Sequence, residues 1–479
     1  MRLKTVPKSL LKDKDIKFGT SGLRGLVKDF DDFLVTSFTI SFLTYLKDSG
    51  FKFKRVVVGK DLRASSPRIL NAVLHGIRQL DLTPINGGDC PTPALGYYCS
   101  NHRCPGIMVT GSHIPEDRNG LKFFKLDGEI NKSDEQGILN KAVTLDLAGF
   151  NKSGTLKVQE SNKKDPKVLL EYRNRYTRVF GEDFLSGLRV GIYKHSCVGA
   201  NIFFDILKEL GASPVAFGKS DSFMAIDTED LNKEALATVR GWLNLNEVDC
   251  VISADGDADR PLVFTSKGDP LPGDYLGRLS LIFTGAKIAV CPITVNSQLE
   301  NYGLTSSIAQ YEVIRTKIGS PYVIQEMLSA PQDKNTVGFE ANGGVIHRDE
   351  LIYPLGSLKP LLTRDSLLPI LSYLFFLKST KIEKPWYDLG SVNASGMLRG
   401  INPSKINKLL SCSELLDTYG GSENRLDGLR LTLPDNTIIH FRLSGNAPEL
   451  RVYVEAKDEF SSLLLLQKAI NYLKSKDIF

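Results

Sequence analysis

Short apolar runs rich in β-branched residues alternate along the chain with longer stretches whose apolar positions recur every three or four residues. RVVVGKD (55–61) is a β-branched run ending in a charged turn, and GIMVTGS (106–112) is a second such run that meets a glycine. Between them, SSPRILNAVLHGIRQLD (65–81) has apolar residues at helical spacing behind a Ser-Ser-Pro start. These patterns predict strands around a helix that opens at its proline. Strand–helix–strand alternation predicts an α/β layer with strands buried on both faces.

The lysine-, asparagine- and serine-rich segment 151–167 predicts a linker or surface excursion. A second unit follows. LRVGIYKHS (188–196) predicts a strand, VGANIFFDILKELGA (198–212) a helix closed by glycine, and EVDCVISADGDADRP (247–261) a strand running into an acidic loop. A third unit starts near Gly268, with KIAVCPITVNS (287–297), VGFEANGGVI (337–346) and an apolar helix from Ser366 to Leu377. The last unit differs. Residues 428–456 hold three β-like runs joined by turns, and SSLLLLQKAINYLKS (461–475) predicts a closing helix, which reads as an antiparallel α+β domain. The fold class expected is α/β: three similar mixed α/β domains plus a C-terminal α+β domain, at 1–155, 156–267, 268–382 and 383–479.

Composition narrows the function. A chain of 479 residues has room for about three or four domains. With 42% apolar and 24% charged residues it is expected to be globular and soluble. The net charge of +5 is small and the basic residues are dispersed, which argues for no nucleic-acid partner and suits an anionic small substrate. The most apolar window, 366–377, is too short to span a bilayer, so no membrane partner is expected. Seven cysteines at irregular spacing predict free thiols in a reducing compartment. The N-terminus has no apolar signal core, and the expected location is cytoplasmic.

The strongest chemical feature is SADGDADR (253–260). Asp255, Asp257 and Asp259 would repel one another if bare, and a hard divalent cation such as Mg²⁺ relieves that cost through oxygen ligands. A solvated acidic turn is the bland alternative. Against it, the loop follows the apolar VDCVISA, at the strand edge where α/β proteins place ligands, and it ends in Arg260, a phosphate partner. A calcium-binding EF-hand loop is excluded, because its twelfth position is Ser266.

The loop TGSHIPEDRNGLKF (110–123) carries Ser112 beside His113 and reaches Lys122. It is not the Gly-x-Ser-x-Gly elbow of esterases, and His113 is expected not to fold back onto its immediate neighbour. Beside a cation, Ser112 makes more sense as a phosphate carrier than as an acyl nucleophile, although an ordinary turn serine stays open on these residues alone. FGTSGLRG (18–25), with Arg24, and RLSGNAPELR (442–451), with Arg442, Ser444, Gly445 and Asn446, read as phosphate cradles or as structural turns. In GFEANGG (338–344), Glu340 and Asn342 suit sugar hydroxyls, and Lys317 in RTKIGS is a further anion contact.

In order and spacing, FGTSGLRG, TGSHIPEDRNGLKF, DGDADR, GFEANGG and RLSGNAPELRVYVEA resemble the signature loops of the α-D-phosphohexomutases, closest to a subgroup commonly labelled phosphomannomutase. The resemblance covers the whole chain and implies four domains around a central cleft. It implies catalysis by Ser112 as phosphoserine, with Lys122 in proton transfer, Arg24 alongside and His113 close by. It implies Mg²⁺ held by Asp255, Asp257, Asp259 and an oxygen on Ser112. Arg260, Lys317, Glu340, Asn342, Arg442, Ser444, Gly445 and Asn446 would bind substrate. The reaction implied is reversible conversion of mannose 6-phosphate and mannose 1-phosphate through a bisphosphorylated sugar, primed by glucose 1,6-bisphosphate or mannose 1,6-bisphosphate. Phosphoglucomutase, dual-specificity and phosphoglucosamine mutase activities are the alternatives. The enzyme would be a monomer or homodimer acting on a hexose phosphate.

The chain departs from the family pattern at three places. Gly344 stands where many members have a histidine, so that histidine's role is unfilled or passes to another residue. Leu443 and Ala447 alter the phosphate loop, and Ile114 replaces an asparagine. A metal phosphatase using the same aspartates would not need Ser112. A sugar-phosphate sensor would bind without isomerising.

Overall fold

The computed structural model describes residues 2–19, 22–160, 163–300, 310–384, 390–443, 449–476 and 478. Among these residues three sheets share one plan. In the first sheet, the parallel strands Thr83–Asp89, Arg55–Lys60 and Gly106–Val109 are followed by antiparallel Arg118–Phe124, Leu23–Leu26 and Ile16–Phe18. The second runs Ser213–Lys219, Arg189–His195 and Cys250–Ala254 in parallel, then Pro261–Thr265 antiparallel. The third runs Glu312–Thr316, Ile288–Pro292 and Thr336–Phe339 in parallel, then Val345–His347 and Leu361–Asp365 antiparallel.

In each unit the third parallel strand turns back at its C-terminal end into an antiparallel neighbour. Val109 pairs with Leu121, Ala254 with Pro261 and Phe339 with Val345. The three turns between these pairs carry Ser112, the three aspartates and Glu340. Buried strand cores fix the stems of the turns and leave their tips to chemistry. Gly106–Val109, Cys250–Ala254 and Thr336–Phe339 are buried throughout, as strands covered by helices on both faces must be.

The expected helix at 65–81 is Ser66–Arg78, with Pro67 in its first turn. The apolar helix expected at 366–377 is Leu367–Thr380, and it packs in a core cluster that runs continuously through the first three units. No helix among the described residues is long and apolar enough to cross a membrane. The last unit is a five-stranded antiparallel sheet in the order Val392–Arg399, Glu449–Ala456, Ile438–Leu443, Leu429–Thr432, Ser422–Asn424. It has a core of its own, closed by the helix Glu459–Lys474, and is the α+β domain expected.

One element differs from the sequence reading. Residues 118–124, read as the end of a loop, form a strand, because Leu121 and Phe123 alternate with Gly120 and Lys122 inside the sheet. The polar segment 151–167, read as a linker or a surface excursion, is an excursion that lies against the first unit. Leu156 N donates to Asp32 Oδ2 (2.9 Å), Asn71 Nδ2 to Val158 O (3.1 Å), and Glu160 takes His75 (2.7 Å) and Arg78 (2.6 Å). Of its side chains, Glu160 meets polar groups on the helix Ser66–Arg78, while Leu156 and Val158 are held through their backbone atoms. All seven cysteines are free thiols.

Candidate active site

Ser112 is fully buried and adopts φ +54°, a left-handed conformation that non-glycine residues seldom take. Its surroundings over-determine it, as strained backbone at functional sites requires. Ser112 N donates to Thr110 Oγ1 (2.8 Å), and Ser112 O accepts from Arg63 Nη2 (2.9 Å). Arg63 is 1% exposed and spans the whole loop. Nη2 also donates to Ile114 O (2.6 Å), Nη1 to Pro115 O (2.6 Å) and Arg118 O (3.0 Å), and Nε to Asp61 Oδ2 (3.1 Å). Asp61 in turn accepts from Ser66 Oγ (2.5 Å) and Thr110 Oγ1 (2.8 Å).

The left-handed turn at Ser112 swings His113 back, so that Nδ1 lies 3.3 Å from Ser112 Oγ. This corrects the expectation that adjacent residues could not meet. Burial, together with the Arg260 and Arg24 cations, pushes the His113 pKa well below its ordinary value, so the imidazole is neutral near pH 7.

The strand Cys250–Ala254 delivers Asp255 to the same point. Asp255 Oδ2 accepts the Ser112 hydroxyl at 2.7 Å, while Oδ1 closes the acidic loop on the amides of Asp259 (3.1 Å) and Arg260 (3.2 Å). Gly256 has to be glycine here, since a Cβ would sit 2.9 Å from Ser112 O and 2.7 Å from the Phe223 ring. Lys122, 2% exposed, donates to Asp257 Oδ2 (2.5 Å) and Asp259 Oδ2 (2.7 Å). Thr92 Oγ1 donates to Asp257 Oδ2 (2.6 Å).

The three carboxylates differ in electrostatics although all are buried. Burial and the neighbouring Asp257 and Asp259 raise the Asp255 pKa well above the usual range. For Asp259 burial also opposes charge, but Arg364, Lys122 and Arg260 outweigh it and the pKa is lowered. Lys122 responds in the same way: burial disfavours its charge, Asp257 and Asp259 restore it, and its pKa is raised.

One oxygen from each aspartate lies within 4.8 Å of the others, so the group could hold a metal ion. Asp257 Oδ1 and Asp259 Oδ1 are buried and have no hydrogen-bond partner among the described residues. Buried carboxylate oxygens left bare are costly, and a hard oxygen-seeking cation fits them.

The remaining predicted residues divide. Arg24 lies close enough to Arg260 and Asp257 for them to influence its charge. Burial and Arg260 lower its pKa to about 10, and its Nε has no partner among the described residues. Arg260 Nε is 3.9 Å from Asp259, and its Nη1 is 3.8 Å from Asp227. Glu340 is buried and bonded through Oε2 to Arg364 (2.6 Å). Asn342 Oδ1 accepts Gly344 N (3.0 Å), so this side chain shapes the turn. Lys317 is exposed, with Nζ 6.0 Å from the Tyr322 ring centre. Arg442 Nε meets Asp427 Oδ2 (2.9 Å), which also accepts Ile318 N (2.9 Å), joining the last unit to the Lys317 turn. Ser444, Gly445 and Asn446 lie outside the described residues.

Sequence reasoning missed Asp61, Arg63, Thr92 and Arg364. Asp61 and Arg63 follow directly on the strand Arg55–Lys60, and a charged pair at the C-terminal end of a buried strand was the available signal.

Models of the phosphoglucomutase/phosphomannomutase family match this chain at residues 15–148 (alpha/beta/alpha domain I), 174–268 (domain II) and 293–390 (domain III). The chain belongs to this family. The phosphohexomutase is 35% identical over 474 residues to a phosphomannomutase of Salmonella muenchen, covering 96% of each chain. It is 30% identical over 352 residues to a phosphoglucosamine mutase of Aliarcobacter butzleri, covering 69% of this chain and 75% of that one. A phosphoglucomutase/phosphomannomutase family protein of Burkholderia thailandensis shares the fold, with a TM-score of 0.73 at 20% identity over 98% of this chain and 97% of that one. The protein is thus an enzyme of the phosphohexose mutase class, in the phosphomannomutase-like part of the family.

Proposed function

We propose that the enzyme is a phosphomannomutase that interconverts mannose 6-phosphate and mannose 1-phosphate, with Ser112 as the phosphate carrier. The observation that carries this reading is the 2.7 Å contact of Ser112 Oγ with Asp255, in a buried group of three aspartates. A lone serine is a poor nucleophile, and an acidic cation site beside it supplies what phosphoryl transfer needs. The whole-length likeness to a phosphomannomutase favours mannose over the alternatives, phosphoglucomutase, dual-specificity and phosphoglucosamine mutase.

In this reading phosphorylated Ser112 gives its phosphoryl group to the free hydroxyl of a hexose phosphate. The bisphosphorylated sugar turns over in the site, and the other phosphoryl group returns to Ser112. Asp255, Asp257 and Asp259, with an oxygen on Ser112, would hold Mg²⁺, which screens the phosphoryl charge. Lys122, kept as an ammonium by its carboxylates, gives a proton to the seryl oxygen as phosphate leaves and is restored by the proton that the attacking sugar hydroxyl releases; the second transfer runs these steps in reverse. Neutral His113, 3.3 Å from the seryl oxygen, orients it. Arg24 and Arg260 would take the phosphate in transfer, Glu340 and Asn342 the sugar hydroxyls, and Lys317, Arg442, Ser444, Gly445 and Asn446 the distal phosphate. A glucose or mannose 1,6-bisphosphate would load the serine. The free thiols fit a reducing, cytoplasmic setting.

The test is kcat/KM on mannose, glucose and glucosamine 1-phosphates side by side, with Mg²⁺ and bisphosphate, plus mass spectrometry of Ser112. Highest kcat/KM for mannose 1-phosphate with phosphate on Ser112 is expected. Turnover without a phosphorylated intermediate would end the serine mechanism, and a higher value for another sugar would reassign the substrate.

A further inference from the structure

Residues Arg364, Asp365 and Ser366 close the strand Leu361–Asp365 and each makes a separate buried bond to another part of the molecule. Ser366 Oγ donates to Ala258 O in the acidic loop (2.7 Å). Asp365 accepts the hydroxyls of Tyr172 (2.7 Å) and Tyr176, both on the helix Lys167–Phe180. Arg364, 2% exposed, donates from Nη2 (2.7 Å) and Nε (3.2 Å) to Asp259 Oδ2, and from Nη1 to Glu340 Oε2 (2.6 Å). One guanidinium therefore joins the acidic loop of the second unit to the Glu340 turn of the third.

Gly344 makes room for it. A Cβ at that position would lie 2.9 Å from Arg364 Cδ, 3.1 Å from Arg364 Cβ and 2.8 Å from Asp259 O. The volume that a side chain at 344 would fill is occupied by the arginine stem. Burial alone would disfavour the Arg364 charge, yet Asp259 and Glu340 hold its pKa well above the ordinary value.

We propose that Arg364 is a positioning residue for the mutase reaction, acting through Glu340: it fixes one oxygen of that carboxylate at a set distance from the acidic loop, so that the sugar is presented in register with Ser112. This rests on the reading of Glu340 as a sugar contact. An arginine can hold two carboxylates in fixed directions at once; a lysine, as a point charge, cannot.

The experiment is a double-mutant cycle on kcat/KM for mannose 1-phosphate, using Arg364→Met, Glu340→Gln and the pair, with calorimetric binding of mannose 1-phosphate alongside. Each single variant is expected to lose about 10–100-fold, the range seen when a group that orients a functional side chain is removed. The double variant is expected to lose no more than the worse single one. Arg364→Lys guards against misfolding: it is expected to melt near the wild-type temperature yet remain impaired, and again without further loss when combined with Glu340→Gln. Additive losses would overturn the proposal. So would a Glu340→Gln variant of wild-type kcat/KM beside an impaired Arg364→Met. A wild-type enzyme that turns over no hexose 1-phosphate would sink the function reading instead, and the cycle would then be read on the calorimetric affinities.

Discussion

Ser112 donates its hydroxyl to Asp255 Oδ2 at 2.7 Å, across 143 residues of chain. The two residues come from turns at equivalent places in successive units, each at the C-terminal end of the third parallel strand. If Ser112 carries the phosphate, Ser112→Ala should lower mutase turnover by several orders of magnitude, because among the described residues Ser112 supplies the hydroxyl that meets Asp255. The protein should still bind hexose phosphate, since Arg24, Arg260 and Glu340 are untouched. Intact-mass analysis of wild type and variant after exposure to bisphosphate checks this: phosphate on the alanine variant, with turnover retained, would refute the assignment.

Arg63 offers a second prediction. All of its N–H groups point into the Ser112 loop or at Asp61, and it has no exposed side-chain surface. Removing one partner of a buried ion pair costs about 3–5 kcal/mol. Arg63→Met should therefore lower the urea midpoint and release Ser112 from its left-handed conformation. Loading of phosphate onto Ser112 should fall even at temperatures where the variant stays folded. Arg63→Lys should rescue little, since one ammonium cannot reach Ser112 O, Ile114 O, Pro115 O and Arg118 O together.

These two residues mark what the sequence made legible. Asp255, Asp257 and Asp259 are close in sequence, so their mutual repulsion is visible without coordinates. Ser112 sits at a glycine beside a short apolar run, and the run announced the strand. Arg63 and Arg364 were not legible, because what they bind is backbone carbonyls and carboxylates brought near only by the sheets. The Arg118–Phe124 strand was hidden for a related reason. Its polar Arg118, Asn119 and Lys122 look like a loop until Lys122 is seen buried against Asp257 and Asp259. His113 was misjudged because the φ of Ser112 cannot be read from its neighbours.

Asp274 predicts a pH dependence away from the catalytic residues. It is buried where the third unit meets the last, with Oδ2 accepting Asn296 N (3.0 Å) and Asn393 Nδ2 (3.2 Å) and Oδ1 unpaired among the described residues. Burial raises its pKa from 3.8 to about 7. The folded state thus holds a proton more tightly than the unfolded one. Its contribution to stability is complete below about pH 4 and is lost as pH rises through about 7. The loss is on the order of 4 kcal/mol. Asp274→Asn mimics the protonated form. Thermal unfolding from pH 5 to 8 should show wild type losing stability relative to the variant as pH rises. Parallel curves would remove Asp274 as the cause.

The last prediction separates the ion's role in chemistry from any role in folding. The Asp257 and Asp259 carboxylates have cationic partners within the protein itself, Lys122 (2.5 and 2.7 Å) and, for Asp259, Arg364 (2.7 Å). Chelation should therefore abolish turnover reversibly and yet move the thermal midpoint by no more than about 2 °C, because the folded state has cations of its own. Lys122→Met should reverse that pattern. Without the ammonium, Asp257 and Asp259 face each other in a dry site, and the midpoint should drop by several degrees in chelator and recover when Mg²⁺ is added. Turnover should stay low in both conditions if Lys122 is the proton donor. A Lys122→Met midpoint unmoved by Mg²⁺ would mean that the three aspartates do not hold the ion.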